Sequence, residues 1–170
     1  MTDDESGVHD ASARVVDPDV DLRDPAQRGE LAATHGAVVV AVSVGGGVGA
    51  LARYGIALLL PTRSGGFPWA TFITNLTGCF LIGVLMVVIT EIVTPHPLLR
   101  PLLGVGVLGG FTTFSTYAVE SRDLLRPGTI GVGFGYLAAT LVCCLVAVTA
   151  AAAWTRALAG RARRRTGAAA

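Results

Sequence analysis

The sequence predicts an all-α membrane protein with four transmembrane helices, and three observations carry that expectation. Hydrophobic residues make up 52% of the 170 and charged residues only 15%, where a soluble domain has about 25% charged. Charges are cleared from four long stretches, as lipid requires, because a charged side chain at mid-bilayer costs about 2.5–3.5 kcal/mol. The connections between those stretches are brief, so the helices are antiparallel neighbours in a compact unit with no extramembrane domain.

Taken in order, residues 1–34 hold nine of the twelve acids, together with Pro18 and Pro25. Few large apolar groups are present, so they read as an acidic, disordered N-terminal tail. No basic segment precedes a short apolar core there, which excludes a secretory signal peptide. The apolar region spans 35–155, with helices expected at about 36–60, 67–93, 98–122 and 128–154. Each exceeds the roughly 20 residues that cross a bilayer core. Loops fall at 61–66, 94–97 and about 121–128. Trp69 and Trp154 suit the two membrane interfaces, and 156–170 form a basic C-terminal tail.

Four spans put both termini on one side of the membrane. That side carries Arg28, Arg100, Arg156, Arg161, Arg163, Arg164 and Arg165, against Arg63, Arg122 and Arg126 opposite. The positive-inside rule then favours cytoplasmic termini in the cell membrane.

The chain contains no lysine. That removes the phosphate-binding lysine of a P-loop and any Schiff-base lysine, so no ATP-hydrolysing engine is encoded. Cys79, Cys143 and Cys144 lie in apolar runs without CxxC spacing or histidine partners, and read as buried small hydrophobes. The run from Val38 to Ala50 imitates a dinucleotide fingerprint. That chemistry needs an acid about 20 residues on, and none lies between Glu30 and Glu91. Glycine number 22 in so apolar a chain; Gly45 and Gly49 form a GxxxG pair, and Gly78, Gly83, Gly131, Gly133 and Gly135 extend the theme. Helices in lipid pair through such small residues, and their abundance points to oligomerisation.

Polar residues inside the spans carry the functional signal. Arg53 lies seven residues before the end of span one, and an intramembrane arginine either serves function or snorkels to the interface. Asn75 and Thr71 sit at i, i+4 on one face of span two. The amide is either interhelical glue or an anion donor with two N–H groups. The stretch from Leu108 to Tyr117 joins Gly109-Gly110 to β-branched and hydroxyl residues, a poor helix interior. The third helix is expected to break near Gly109–Thr113, with freed carbonyls able to hold a cation. Phe111, Phe114 and Tyr117 recur every three residues and are expected on one face. Tyr136, Thr140 and Cys144 draw a polar line along span four, again glue or a track for a hydrated solute.

At these residues the chain resembles the Fluc/CrcB fluoride channels, over roughly residues 45–149. The resemblance rests on GGGVGALARYG at 45–55, FPWATFITNLTGCFLIG at 67–83 and GVGVLGGFTTFSTY at 104–117. It implies an antiparallel dual-topology dimer with two fluoride pores and a central structural sodium ion (Na+). By motif position, Asn75 resembles the pore asparagine, and Phe114 and Tyr117 the two aromatics facing the fluoride path. Phe111, Thr71, Glu120, Tyr136 and Thr140 would complete the pore, with Arg53 at the vestibule. Gly109 and Thr112 resemble the donors of backbone carbonyls to sodium. Two features depart from the family pattern: Tyr117 stands where phenylalanine is usual, and the arginine bias exceeds what dual topology prefers. The partner is then a second copy or an oppositely oriented paralogue.

On this reading fluoride leaves the cytoplasm passively, exchanging water for hydroxyl and amide donors and positive ring edges, and the protein is not an enzyme. Its partners are fluoride, a second subunit and the bilayer, with no nucleic acid. The alternative is a proton-coupled four-helix exporter like the small multidrug resistance proteins. Such an exporter needs a carboxylate in span one, and this span has none. A purely structural subunit is a third reading, against which the hydroxyl-rich break argues.

Overall fold

The computed structural model describes the backbone of residues 25–93 and 96–167, and side chains within 35–93 and 96–161. The chain divides into two compact units, Met1–Gly36 and Ala37–Ala170. Helix α1 is Pro25–Leu59, α2 is Trp69–Val87, α3 is Gly109–Phe111, α4 is Phe114–Leu124 and α5 is Ile130–Gly167. Two segments, Val88–Ile92 and Arg100–Leu108, follow the wider π-helical hydrogen-bonding pattern, closed at the first by Val93 N–H donating to the Val88 carbonyl at 3.1 Å. Strands are absent among the described residues.

Four helical stretches are long and apolar enough to cross a membrane: His35–Leu59, Trp69–Ile92, Arg100–Leu124 and Ile130–Arg161. The first three match the expected spans within two residues, because length and apolarity are themselves the requirement lipid sets; the fourth continues to Arg161, past the expected end at 154. In the smaller unit, residues 25–34 are helical, where the sequence reading expected part of a disordered tail. Pro25 is the first helical residue, where its missing N–H and fixed φ are favourable. Ala26, Gln27, Arg28, Glu30, Leu31 and Ala32 behind it are strong helix formers. The remainder of that tail, residues 1–24, lies outside the described residues, as do Thr94 and Pro95 of the second loop.

Within the larger unit, α1 lies against the third span through backbone rather than side chains. A Cβ at Gly45 would stand 2.5 Å from the Leu102 carbonyl and 3.1 Å from the Gly106 Cα. One turn on, a Cβ at Gly49 would run into the Val107 carbonyl, and one at Gly110 into that of Gly46. The GxxxG pair that suggested oligomerisation is therefore engaged within the chain, against a second pair, Gly106 and Gly110. With no hydrophobic drive in lipid, this close approach is what gains dispersion contact.

Helices α2 and α5 run in the same direction and form the longest seam. A Cβ at Gly83 would stand 2.5 Å from the Val148 carbonyl, and at the end of the seam Arg156 grips Glu91, with Nη2 at 2.7 Å and Nε at 2.9 Å from Oε1. Glu91 and Arg156 are 65 residues apart, and Gly83 and Val148 keep the same offset. The helices thus hold one register over their shared length.

The first and third loops close the opposite end. Gly65 at φ 73° and Gly128 at φ 93° take left-handed turns that glycine makes without strain. The Thr129 side chain lies against Gly65. Asp123 accepts from both Arg122 and Arg126 at 3.0 Å, so these two arginines share one carboxylate.

Candidate functional site

Span three changes course at Thr112 and Thr113. Gly109 is still helical, at φ −66° and ψ −38°, whereas Thr112 (φ −75°, ψ 158°) and Thr113 (φ −148°, ψ 122°) are extended. Their β-branched side chains favour that conformation. Thr113 then acts as the N-cap of α4, its Oγ1 accepting from Thr116 N–H at 3.2 Å; threonine is a preferred residue for that task.

Asn75 of α2 holds this turn of chain. Its Oδ1 accepts from Thr113 N–H and its Nδ2 donates to the Thr113 carbonyl, both at 2.9 Å. Two carbonyls lose their helical donors as a result. Thr113 N–H, the normal partner of Gly109 O, goes to Asn75, and Thr116 N–H, the normal partner of Thr112 O, goes to the Thr113 hydroxyl. One of the two carbonyls between them, Gly110 O, receives Arg53 Nε at 3.2 Å. Arg53 is thus held half-buried against the interruption itself.

The α2–α5 seam brings the remaining polar residues together in rungs at the offset seen for Glu91 and Arg156. Thr71 and Tyr136 form one rung, and both donate to Glu120 of α4: Thr71 Oγ1 to Oε1 at 2.9 Å and Tyr136 Oη to Oε2 at 2.8 Å. Tyr136 is completely buried. Its ring lies 5.2 Å from both the Phe67 and the Tyr117 rings. Asn75 and Thr140 form the next rung, and Cys79 and Cys144 the one after. Tyr117 Oη donates to the Leu137 carbonyl at 3.1 Å, so its hydroxyl is tied back to α5.

Below Glu120 the rungs open into a cavity of about 400 Å³ whose wall includes Asn75, Gly109, Thr112, Phe114, Tyr117 and Thr140. Phe114 and Tyr117 stand 6.0 Å apart, ring centre to ring centre, and Phe114 is 79% exposed. Thr140 is 94% buried by contrast, since only 6% of its surface is reached. Its Oγ1 has no hydrogen-bond partner among the described residues.

The residues singled out from sequence therefore fall in three groups. Asn75, Gly109, Thr112, Phe114, Tyr117 and Thr140 share the cavity wall; Thr71, Glu120 and Tyr136 form the hydrogen-bonded cluster beside it; Arg53 contacts Gly110. Phe111 lies apart. It is buried, with its ring near Gly78 and its backbone against Gly49. The extended pair Thr112–Thr113 resets the helical phase, so a three-residue spacing across it does not keep one face.

Sequence reasoning missed Gly106 and Gly110 as the seat of α1, although their GxxxG spacing was readable. It also read Cys79 only as a buried small hydrophobe, although Cys79 lines the cavity together with Cys144. Thr71, Asn75 and Cys79 at i, i+4, i+8 offered the signal, matching Tyr136, Thr140 and Cys144.

A family model described as CrcB-like protein, Camphor Resistance (CrcB), matches residues 40–152. The curated protein Fluoride-specific ion channel FluC 2 of Nocardia farcinica is 54% identical over 131 residues, covering 75% of this chain and 91% of the relative. Fluoride-specific ion channel FluC 1 of Streptomyces coelicolor is 57% identical over 119 residues, 70% of this chain and 77% of its own. Fluoride-specific ion channel FluC 2 of Thermobifida fusca is 47% identical over 128 residues, 75% and 95% respectively.

Proposed function

The chain belongs to the CrcB-like family, and from that premise we propose that it is a fluoride-selective channel through which cytoplasmic fluoride leaves the cell passively. The observation that carries this reading is the buried, unpartnered Thr140 hydroxyl in a cavity shared with Asn75, Phe114 and Tyr117. A buried polar group without a partner costs about 1–3 kcal/mol. A site that keeps one has a donor in reserve for a solute.

Fluoride is small and strongly hydrated, so a narrow path must return the hydrogen bonds that its water supplied. Thr140 offers a hydroxyl, Asn75 has an amide N–H left after serving Thr113, and Phe114 and Tyr117 offer positive ring edges. Glu120 receives both Thr71 and Tyr136, so it orders the wall while its charge is met by two donors. Arg53, at the other side of the interruption, adds positive potential at the vestibule.

The interruption of span three also supports a second subunit. Gly109 and Ser115 are exposed on the lone chain near the middle of the span, and unpaired backbone at that depth is tolerated only when protein covers it. An antiparallel dimer, with a second copy or a paralogue, would bury these groups and complete two paths. The donor set suits sodium: the carbonyls of Gly109 and Thr112, released from helical bonding, are neutral hard oxygens, as discontinuous helices use for that ion. Sodium held there would add positive charge between the subunits without occupying the fluoride path. The larger number of arginines beside the termini supports a cytoplasmic location for both ends by the positive-inside rule.

Purified protein in liposomes, read with a fluoride electrode under potassium and valinomycin, tests the proposal. Release of fluoride without a pH gradient is the expected result. Release only under an imposed proton gradient, or none from the chain alone or together with a paralogue, overturns it.

A further inference from the structure

The rung of cysteines one turn beyond Asn75 and Thr140 has no part in the reading so far. Cys79 on α2 and Cys144 on α5 keep the same 65-residue offset as the bonded pair Glu91–Arg156. Both line the cavity, and both are half-buried. They face the same cavity, one from each side of the seam. Cys143, next to Cys144 but rotated about 100° around the helix, is not part of the cavity wall. The unpartnered Thr140 hydroxyl lies one turn away on the same wall.

Two thiols and no third ligand restrict the metals that fit. Among the described residues no group of three His, Cys, Asp or Glu side chains converges, so zinc, which takes four ligands in structural sites, is poorly served. Soft cations that accept two sulfur ligands are the remaining class, since thiolate selects soft metals. For mercury(II), each thiol gives up its proton and each sulfur its lone pair. The product is a neutral S–Hg–S bridge with two protons released, and neutrality suits an apolar cavity.

We infer that Cys79 and Cys144 form a binding site for a two-coordinate thiophilic cation, and that its occupation closes the cavity to fluoride. The effect on transport rests on the channel reading; the site itself does not.

The test begins from Cys143→Ser, which leaves two thiols and keeps the cavity wall. One mercuric ion per chain should consume both thiols and give the ultraviolet absorbance of mercury–sulfur bonds, with the chain remaining monomeric on a denaturing non-reducing gel. The same liposomes should lose fluoride release on addition of Hg²⁺ and regain it with excess dithiol. Adding Cys79→Ser, or Cys144→Ser should the first variant fail to fold, should leave one thiol that takes mercury without the bridge, and the block should weaken. Two mercuric ions bound per chain, a mercury-linked dimer, or one thiol still free after one equivalent overturns the site. Full one-to-one bridging with undiminished fluoride release overturns the closure. If untreated liposomes release no fluoride, the channel reading fails while the stoichiometry still judges the site.

Discussion

Asn75 and Thr113 are joined like two strands of a sheet: the amide of one serves both backbone groups of the other, each at 2.9 Å. This pairing orients Asn75 without ambiguity, because only Oδ1 can accept the Thr113 N–H and only Nδ2 can donate to the carbonyl. It also holds span three open at the point where Gly109 and Thr112 lose their helical donors. Of the two uses the sequence left open for this amide, the clamp on the Thr113 backbone is the one these bonds display; the anion donor belongs to the proposed path.

Asn75→Asp should therefore fail twice. A carboxylate oxygen would face the Thr113 carbonyl where Nδ2 donated, and negative charge would stand beside a path for anions. Loss of about 1.4 kcal/mol or more lowers fluoride flux about ten-fold or more, read as initial release from liposomes. Flux equal to that of the unmodified protein would remove Asn75 from the path.

The glycine contacts give a sharp pair of variants. At Gly49 a Cβ meets the Val107 carbonyl and stands 2.7 Å from Phe111 N, whereas at Gly47, two residues earlier, it meets nothing within 4 Å. Gly49→Ala should lower stability by about 1–3 kcal/mol, as overpacking does. Gly47→Ala should be neutral or stabilising by about 0.4–1 kcal/mol, from reduced freedom in the unfolded chain. Thermal unfolding in detergent, compared between the two, checks the contact between α1 and span three. Equal shifts would argue against it.

How much of this was legible depends on whether a residue's role is local. The four spans were, since lipid imposes length and apolarity on each stretch separately. The poor helix interior expected over Gly109–Thr113 was legible only in part: β-branching marked Thr112 and Thr113, which are extended, whereas the glycine pair stays helical within Gly109–Phe111. The seat of Gly45 and Gly49 was not. A GxxxG face fits a partner in the same chain or in another equally well, and only the third span's Gly106 and Gly110 decide it. The α2–α5 register was likewise hidden. Thr71 and Tyr136 were both marked by resemblance, yet nothing in either segment tells that they meet on Glu120. Phe111 shows the reverse: its spacing to Phe114 was read correctly, but the extended residues between them void the helical period.

Glu120 is a double acceptor, and its variants separate charge from hydrogen bonding. Glu120→Ala leaves the Thr71 and Tyr136 hydroxyls without their partner, a loss of about 1–3 kcal/mol for buried groups. Glu120→Gln keeps an acceptor for one and offers an N–H to the other, whose oxygen can accept. Alanine should thus lower the unfolding temperature clearly more than glutamine does. Equal losses would mean that charge, rather than the two hydrogen bonds, is what the cluster requires.

Thr140→Val sets stability against transport. The hydroxyl is buried and unpartnered among the described residues, so replacing it by a methyl of similar size removes an unsatisfied polar atom from the interior. A purely structural threonine would have no reason to stand there, and valine should hold or raise the unfolding temperature, with a gain of up to about 1–3 kcal/mol. Fluoride flux should fall in the same protein, because the donor held in reserve is gone. Thr140→Ser keeps the hydroxyl and should preserve most of the flux. Valine with normal flux would show that the hydroxyl meets no solute, and valine with lowered stability would show that it has a partner in the assembled protein.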